Sequence, residues 1–328
     1  MRAPQLRSAL LALLVLAACA CSSGDTPADS LEVAARGLHV AAFPRDGTVA
    51  VAASLTHGAS LWDLGTRQRR FDWNHRKDAR SAITAVTFSP EGGAALTAEG
   101  STLVLWDARK GEALRFFSAP AEVLSLALTR GGKLALLGLQ DGTALLMDMQ
   151  AGGVKRRFTH DADVLAVAMD PEGRRALTGS ADGSARLWNT VDGALLQRWE
   201  HGAPVDVLAL SDDATRAFSA ARGAAAVLRD AESGRTLGEL PASSMRQARG
   251  AGYSASVFSA DATRLLLGAV DGRVLLWDAG STRLLASWKL PRGTMTRAAG
   301  SRVIALGFSA AGLQVASGDG FSHLLRQP

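Results

Sequence analysis

The stretch VLAVAMDPEGRRALTGSADGSARLWNTVDGALLQRWE, residues 164–200, decides the fold. Its apolar residues alternate with a period near two in four short runs: VLAVAMD, ALTGS, SARLWNT and ALLQRWE. Between the runs stand PEGRR, ADG and VDG. Pro fixes the backbone, Gly takes positive φ and Asp bonds its own turn, so these segments end strands rather than continue them. The segment therefore reads as four short antiparallel strands, a sheet too small to bury both its faces alone.

Working outward, the same unit recurs in both directions. An apolar residue opening a polar turn marks each copy: Phe43 in AFPRDG, Phe88 in TFSPEGG, Leu128 in ALTRGG, Met169 in AMDPEG, Leu210 in ALSDDA, Phe258 in VFSADA and Phe308 in GFSAAG. The steps are 45, 40, 41, 41, 48 and 50 residues. A second marker keeps step after the first six: Trp62 in LWDLG, Trp106 in LWDARKG, Met147 in LMDMQAG, Trp188 in LWNTVDG, Arg229 in LRDAESG and Trp277 in LWDAG. The seventh copy ends in HLLRQP. Four strands repeated seven times predict an all-β, seven-bladed propeller, in which each sheet covers its neighbour's face.

The tryptophans fall on two repeat positions only. Trp62, Trp106, Trp188 and Trp277 lie on third strands, and Trp73, Trp199 and Trp288 lie 11 residues after such a Trp, on outer strands. Phe117, Phe158 and Leu240 hold that outer position elsewhere. All read as packing residues between blades. At these residues the chain resembles the WD-repeat family. The resemblance implies a buried hydrogen-bonded set of His, Ser or Thr, Asp and Trp, carried in full by the fourth repeat as His160, Thr178, Asp182 and Trp188. Asp141, Asp271 and Asp319 hold the turn Asp position elsewhere, and His75 and His201 resemble the His position. Gly100 and Gly223 replace the Asp, and Arg229 replaces the Trp.

Because the seventh copy stops after its third strand, its sheet needs an outer strand from elsewhere, and an open edge is a liability. The segment Leu31 to Ala35, which precedes the first repeat without a partner, is expected to supply it. Residues 31–328 then give about 43 residues per blade.

The N-terminus reads as a targeting signal: Arg2 and Arg7, then the apolar SALLALLVLAA, shorter than the ~20 residues that span a bilayer. It runs into Leu16-Ala17-Ala18-Cys19, which resembles a bacterial lipoprotein signal. That resemblance implies cleavage of residues 1–18, a lipidated Cys19 and a tether over 19–30. The two cysteines, Cys19 and Cys21, both lie here, which excludes a disulfide framework for the rest. Ala20 after the Cys favours an outer-membrane destination facing the periplasm. The alternative is a secretory signal cut after Ala18 or Ala20, leaving a soluble periplasmic protein.

The chain carries 36 basic and 31 acidic residues, and without Arg2 and Arg7 the balance is 34 against 31. Of the 36 basic residues 31 are Arg and 5 Lys, and the small excess argues for no nucleic-acid partner. The loops from each outer strand to the next blade differ by sector. Arg76, Lys77 and Arg80 enter blade 2, Arg246 and Arg249 enter blade 6, and Arg292, Arg297 and Arg302 enter blade 7. The loops SAPAE, THDAD and EHGAPVD into blades 3, 4 and 5 are acidic. One half of that face should be basic. With its two long loops and Tyr253, it is the candidate surface for an acidic envelope protein or an anionic envelope polymer.

No HExxH, Cys/His metal grouping or GxSxG elbow is present, so no catalytic, metal or cofactor site is assigned. GSADGS around Asp182 is a hairpin turn in repeat register, not a phosphate loop. The function expected is a non-enzymatic interaction scaffold, a monomeric propeller anchored by lipid in the cell envelope. The alternatives are a periplasmic small-ligand or cofactor-binding propeller and an accessory factor in outer-membrane protein assembly.

Overall fold

Residues 164–200 form four strands, Val164–Met169, Arg175–Ser180, Ser184–Asn189 and Leu195–Glu200. The protein is seen as a computed structural model describing residues 27–35, 37–54, 58–76, 80–241, 252–291 and 301–328. Among the described residues there are seven four-stranded antiparallel sheets, one per repeat, and the only helical element is a 3-10 turn at Arg130–Gly132. In six sheets the strand order follows the chain.

The radial stack explains the burial. Second strands such as Leu134–Leu139 and Arg264–Ala269 are covered on both faces, so they are apolar almost without alternation. Outer strands such as Glu112–Ser118 are largely exposed. Close approach between sheets needs small residues on the second strand: a Cβ at Gly138 or Gly179 would come within 2.7 or 2.9 Å of the Val164 or Val205 carbonyl oxygen of the next blade. The register between third and outer strands slips at the second marker, between Leu187 and Trp188 and likewise before Trp62, Trp106, Met147, Arg229 and Trp277. A bulge there adds twist and re-aims the marker side chain.

Inner strands are tied around the axis by serines. Ser125 Oγ accepts from the Val167 amide at 3.1 Å, and the hydroxyls of Ser256 and Ser254 donate to the Leu208 and Val303 carbonyls at 2.9 and 2.7 Å. The turns after the inner strands gather on one face. There the Gly131 amide donates to Glu91 Oε1 at 2.8 Å, and Arg45 of blade 1 forms an ion pair with Asp212 of blade 5, two blades that are not neighbours.

The seventh sheet is completed by a strand from the N-terminal side, Asp29–Glu32, antiparallel to Phe321–Leu325. It lies two residues earlier than the expected Leu31 to Ala35, and it takes Asp29 and Ser30 out of the segment read as tether. Four contacts hold this strand. The Ala28 amide donates to the Leu324 carbonyl at 2.8 Å, Ser30 Oγ meets His323 Nδ1 at 2.8 Å, and the Arg67 guanidinium holds Asp29 and the Ser30 carbonyl. The strand ends where the Val33 and Ala34 amides both turn to the Gly320 carbonyl.

Candidate functional site

Blade 4 holds a hydrogen-bonded chain between its second and third strands and the loop that enters it. The Trp188 indole N–H donates to Thr178 Oγ1 at 2.8 Å, Thr178 Oγ1 lies 2.8 Å from His160 Nε2, and His160 Nδ1 lies 3.0 Å from Asp182 Oδ2. These partners assign the neutral tautomer with its proton on Nδ1, donated to the carboxylate. Burial lowers the His160 pKa, and the Arg186 guanidinium adds to that against the pull of Asp182. Burial also opposes charge on Asp182, but the Ser184 hydroxyl and amide, the Asp161 amide and His160 outweigh it and hold that carboxyl well below its usual range. The set joins one blade to the loop from its neighbour and is structural.

Other blades keep parts of it. In blade 2, His75 Nε2 and the Trp106 indole both meet Thr97 Oγ1 at 2.8 Å. With Gly100 at the Asp place, His75 Nδ1 has no hydrogen-bond partner, and Glu99 stands 3.9 Å away. In blade 5, His201 Nε2 and Arg229 Nη1 converge on Ser219 Oγ at 2.9 and 2.8 Å, so the guanidinium stands in for the indole. In blade 6 the acceptor place holds Leu267, and the buried Trp277 indole N–H is unpartnered. Thr97 and Ser219 were missed from sequence, although each lies nine or ten residues before its marker, as Thr178 does.

On the loop face, Arg76 and Arg80 before blade 2 and Arg302 before blade 7 are exposed. Glu122, Asp161 and Glu200, before blades 3, 4 and 5, are exposed too. Cys19, Lys77, Arg246, Arg249, Arg292 and Arg297 lie outside the described residues. Tyr253 is a correction: it is buried, not part of a docking surface. It takes the inward position held by Val164, Val205 and Val303 at the start of other inner strands, its hydroxyl donates to the Leu240 carbonyl at 3.3 Å, and its ring meets Phe218 edge-on. Burial alone pushes its phenol pKa well up.

Surface cavities lie among the described residues in two interblade places. One, of about 560 Å³, lies between the turns of blades 3 and 4 and is lined by Arg130, Lys133, Lys155, Asp148 and Glu172. Four of these charges are paired, Arg130 with Glu172 and Lys155 with Asp148. The other lies between blades 7 and 1. Among the described residues no group of three or more His, Cys, Asp or Glu is placed to hold a metal ion.

Seven four-stranded blades, closed by an N-terminal strand and pinned by His–Thr–Asp–Trp chemistry, define a seven-bladed β-propeller of the repeat type. Residues 152–189, which contain all four members of the blade 4 set, match the family described as WD domain, G-beta repeat. That match and the seven repeated blades together support the WD-repeat propeller family. No curated protein matches it. Propellers of this family generally mediate protein–protein interaction and are typically non-enzymatic.

Proposed function

We propose that the chain is a lipid-tethered, non-enzymatic scaffold of a bacterial envelope that docks an acidic protein through the basic half of its loop face. The observation that carries this reading is the sorting of exposed charge by sector. Arg76, Arg80 and Arg302 stand before blades 2 and 7, and Glu122, Asp161 and Glu200 before blades 3, 4 and 5. Such polarity orients an encounter as well as attracting it. The outer-membrane, periplasm-facing location rests on the lipoprotein-like signal ending at Cys19. With nine residues between Cys19 and Asp29, the propeller would stay within about 35 Å of the lipid anchor.

Crosslinking in intact cells, with the captured protein identified by mass spectrometry, tests the scaffold. One stoichiometric envelope protein is expected, and reversing Arg76, Arg80 and Arg302 to Glu should abolish its capture while leaving thermal unfolding unchanged. Capture that survives the reversal overturns the docking surface. Cys19→Ser should release the protein from the membrane fraction, and retention there overturns the anchor.

A further inference from the structure

Blade 4 fills the space toward blade 3 with a row of side chains across three strands: Thr178, Arg186 opposite it, and Arg198 opposite that. The Arg186 guanidinium is buried, with Nε 3.0 Å from Ser184 Oγ, Nη1 2.8 Å from the Thr159 carbonyl and Nη2 3.0 Å from Asp182 Oδ2. In blade 1 the same row reads Ala52, Ser60 and Asp72, and Gly58 takes the place of Ser184. The His160 place falls to Val33 and Ala34, whose amides bond Gly320 O as the His160 amide bonds Gly142 O. Thr178, Ser184, Arg186 and Arg198 thus give way to smaller residues in blade 1, and His160 to apolar ones.

What remains between blades 7 and 1 is a cavity of about 420 Å³, lined by Glu32, Val33, Ala52, Ser60, Trp62 and Asp72 among others. Trp106, Trp188 and Trp277 are buried, whereas Trp62 is part-exposed and its indole N–H turns to Ser60 Oγ at 2.9 Å. Two carboxylates flank the opening. Among the described residues Asp72 pairs with Arg69 alone, at 3.2 Å, both more than half exposed, a pair that solvent screens and an incoming cation can displace.

We propose that this cavity is a binding site for an arginine side chain presented by a partner protein. The chain supplies its own template: the equivalent space in blade 4 already holds a guanidinium. An entering fork would find Ser60 Oγ and the Asp72 and Glu32 carboxylates, with the Trp62 ring beside it. Small residues make the room and the acids select the charge. The site is separate from the basic sector and does not depend on it.

The test is fluorescence anisotropy of a labelled, end-blocked Gly-Gly-Arg-Gly-Gly peptide with the full-length protein, against the same peptide carrying citrulline. Citrulline keeps the size and removes the charge. The arginine peptide should bind at least about tenfold more tightly, the scale of a lost charged hydrogen bond. Ser60→Arg, which supplies the guanidinium from within, should abolish binding and raise the melting temperature. Arg69→Ala should tighten binding severalfold. Asp72→Asn, at the exposed mouth, should weaken it about tenfold and keeps the question open should Ser60→Arg fold poorly. Equal binding of the two peptides, no binding of the arginine peptide, or unchanged binding by both Ser60→Arg and Asp72→Asn overturns the proposal.

Discussion

The guanidinium of Arg229 lies 5.2 Å above the centroid of the Trp199 ring and donates to Ser219 Oγ at 2.8 Å, doing in blade 5 what the Trp188 indole does in blade 4. The substitution keeps the hydrogen bond and adds a buried charge. Burial lowers the Arg229 pKa to about 10, with Glu239 pulling weakly the other way. A cation with a depressed folded pKa is strained wherever it stays charged, so the cost is full at neutral pH and fades as pH rises past about 10. Replacing a buried charge with a packed apolar group often stabilises by about 1–4 kcal/mol. Arg229→Trp should therefore raise the urea midpoint at pH 7, and the gain should shrink toward pH 11. No gain at pH 7 would mean that the cation–π contact already offsets the burial.

Trp188 and Trp277 occupy one repeat position in different states of satisfaction. The first indole N–H has Thr178 as acceptor, and the second has none because Leu267 stands there. Deleting a satisfied N–H strands its acceptor, whereas deleting an orphan removes a desolvation penalty, and the two differ by about 1–3 kcal/mol. Trp188→Phe should lower the melting temperature clearly more than Trp277→Phe. Thr178→Val should cost about 2 kcal/mol or more, since it strands both Trp188 and His160.

The repeat was legible because Phe88, Met169 and their equivalents begin turns, and Trp106, Trp188 and their equivalents fill the same interblade site. Both are local consequences of period-two strands. The blade 4 set could be placed in sequence because Thr178 and Asp182 sit at fixed offsets from Trp188. What was not legible depends on which way a side chain faces or on contacts across the ring. Tyr253 looked like a loop aromatic because the long segment before it hides where the inner strand's alternation begins. The closing strand was placed two residues late because DSLE is polar and shows no alternation, its register being set instead by His323 and Arg67. The Arg45–Asp212 pair spans blades 1 and 5, and no spacing in the chain announces it.

Asp170 occupies the turn position that Ser89, Ser211 and Ser259 hold in other blades, where each serine Oγ accepts an amide at 2.9–3.1 Å. Asp170 Oδ1 accepts the Arg175 amide in the same way, but its buried Oδ2 has no hydrogen-bond partner. Burial raises its pKa, against the Arg175 amide and Arg174. A carboxyl whose folded pKa lies above its unfolded value weakens the fold wherever it is ionised, and this effect disappears as pH falls below the unfolded value of 3.8. Asp170→Ser should thus raise stability at pH 7 by about 1–2 kcal/mol. The difference between the two proteins should narrow toward pH 3.5. A gain that does not vary with pH would place its origin in packing rather than in the charge.

His75, His160, His201 and His323 all have pKa values pushed below 6.5, in each case chiefly by burial. The unfolded chain therefore takes up protons that the folded one refuses. The stability they confer is full above pH 6.5 and is lost as pH falls through the folded values. Each can contribute at most about 1.4 kcal/mol per pH unit in that window. Melting temperature should be flat from pH 8 to 7 and fall steadily from 6.5 to 5. His323 bridges Ser30 Oγ at 2.8 Å and Ser317 Oγ at 3.0 Å, so its protonation acts on the strand that closes the ring. Proteolysis within residues 29–35 should quicken as pH falls from 7 to 5.5, and His323→Gln should remove that pH dependence. Cleavage that accelerates equally in His323→Gln would move the acid sensitivity to the other buried imidazoles.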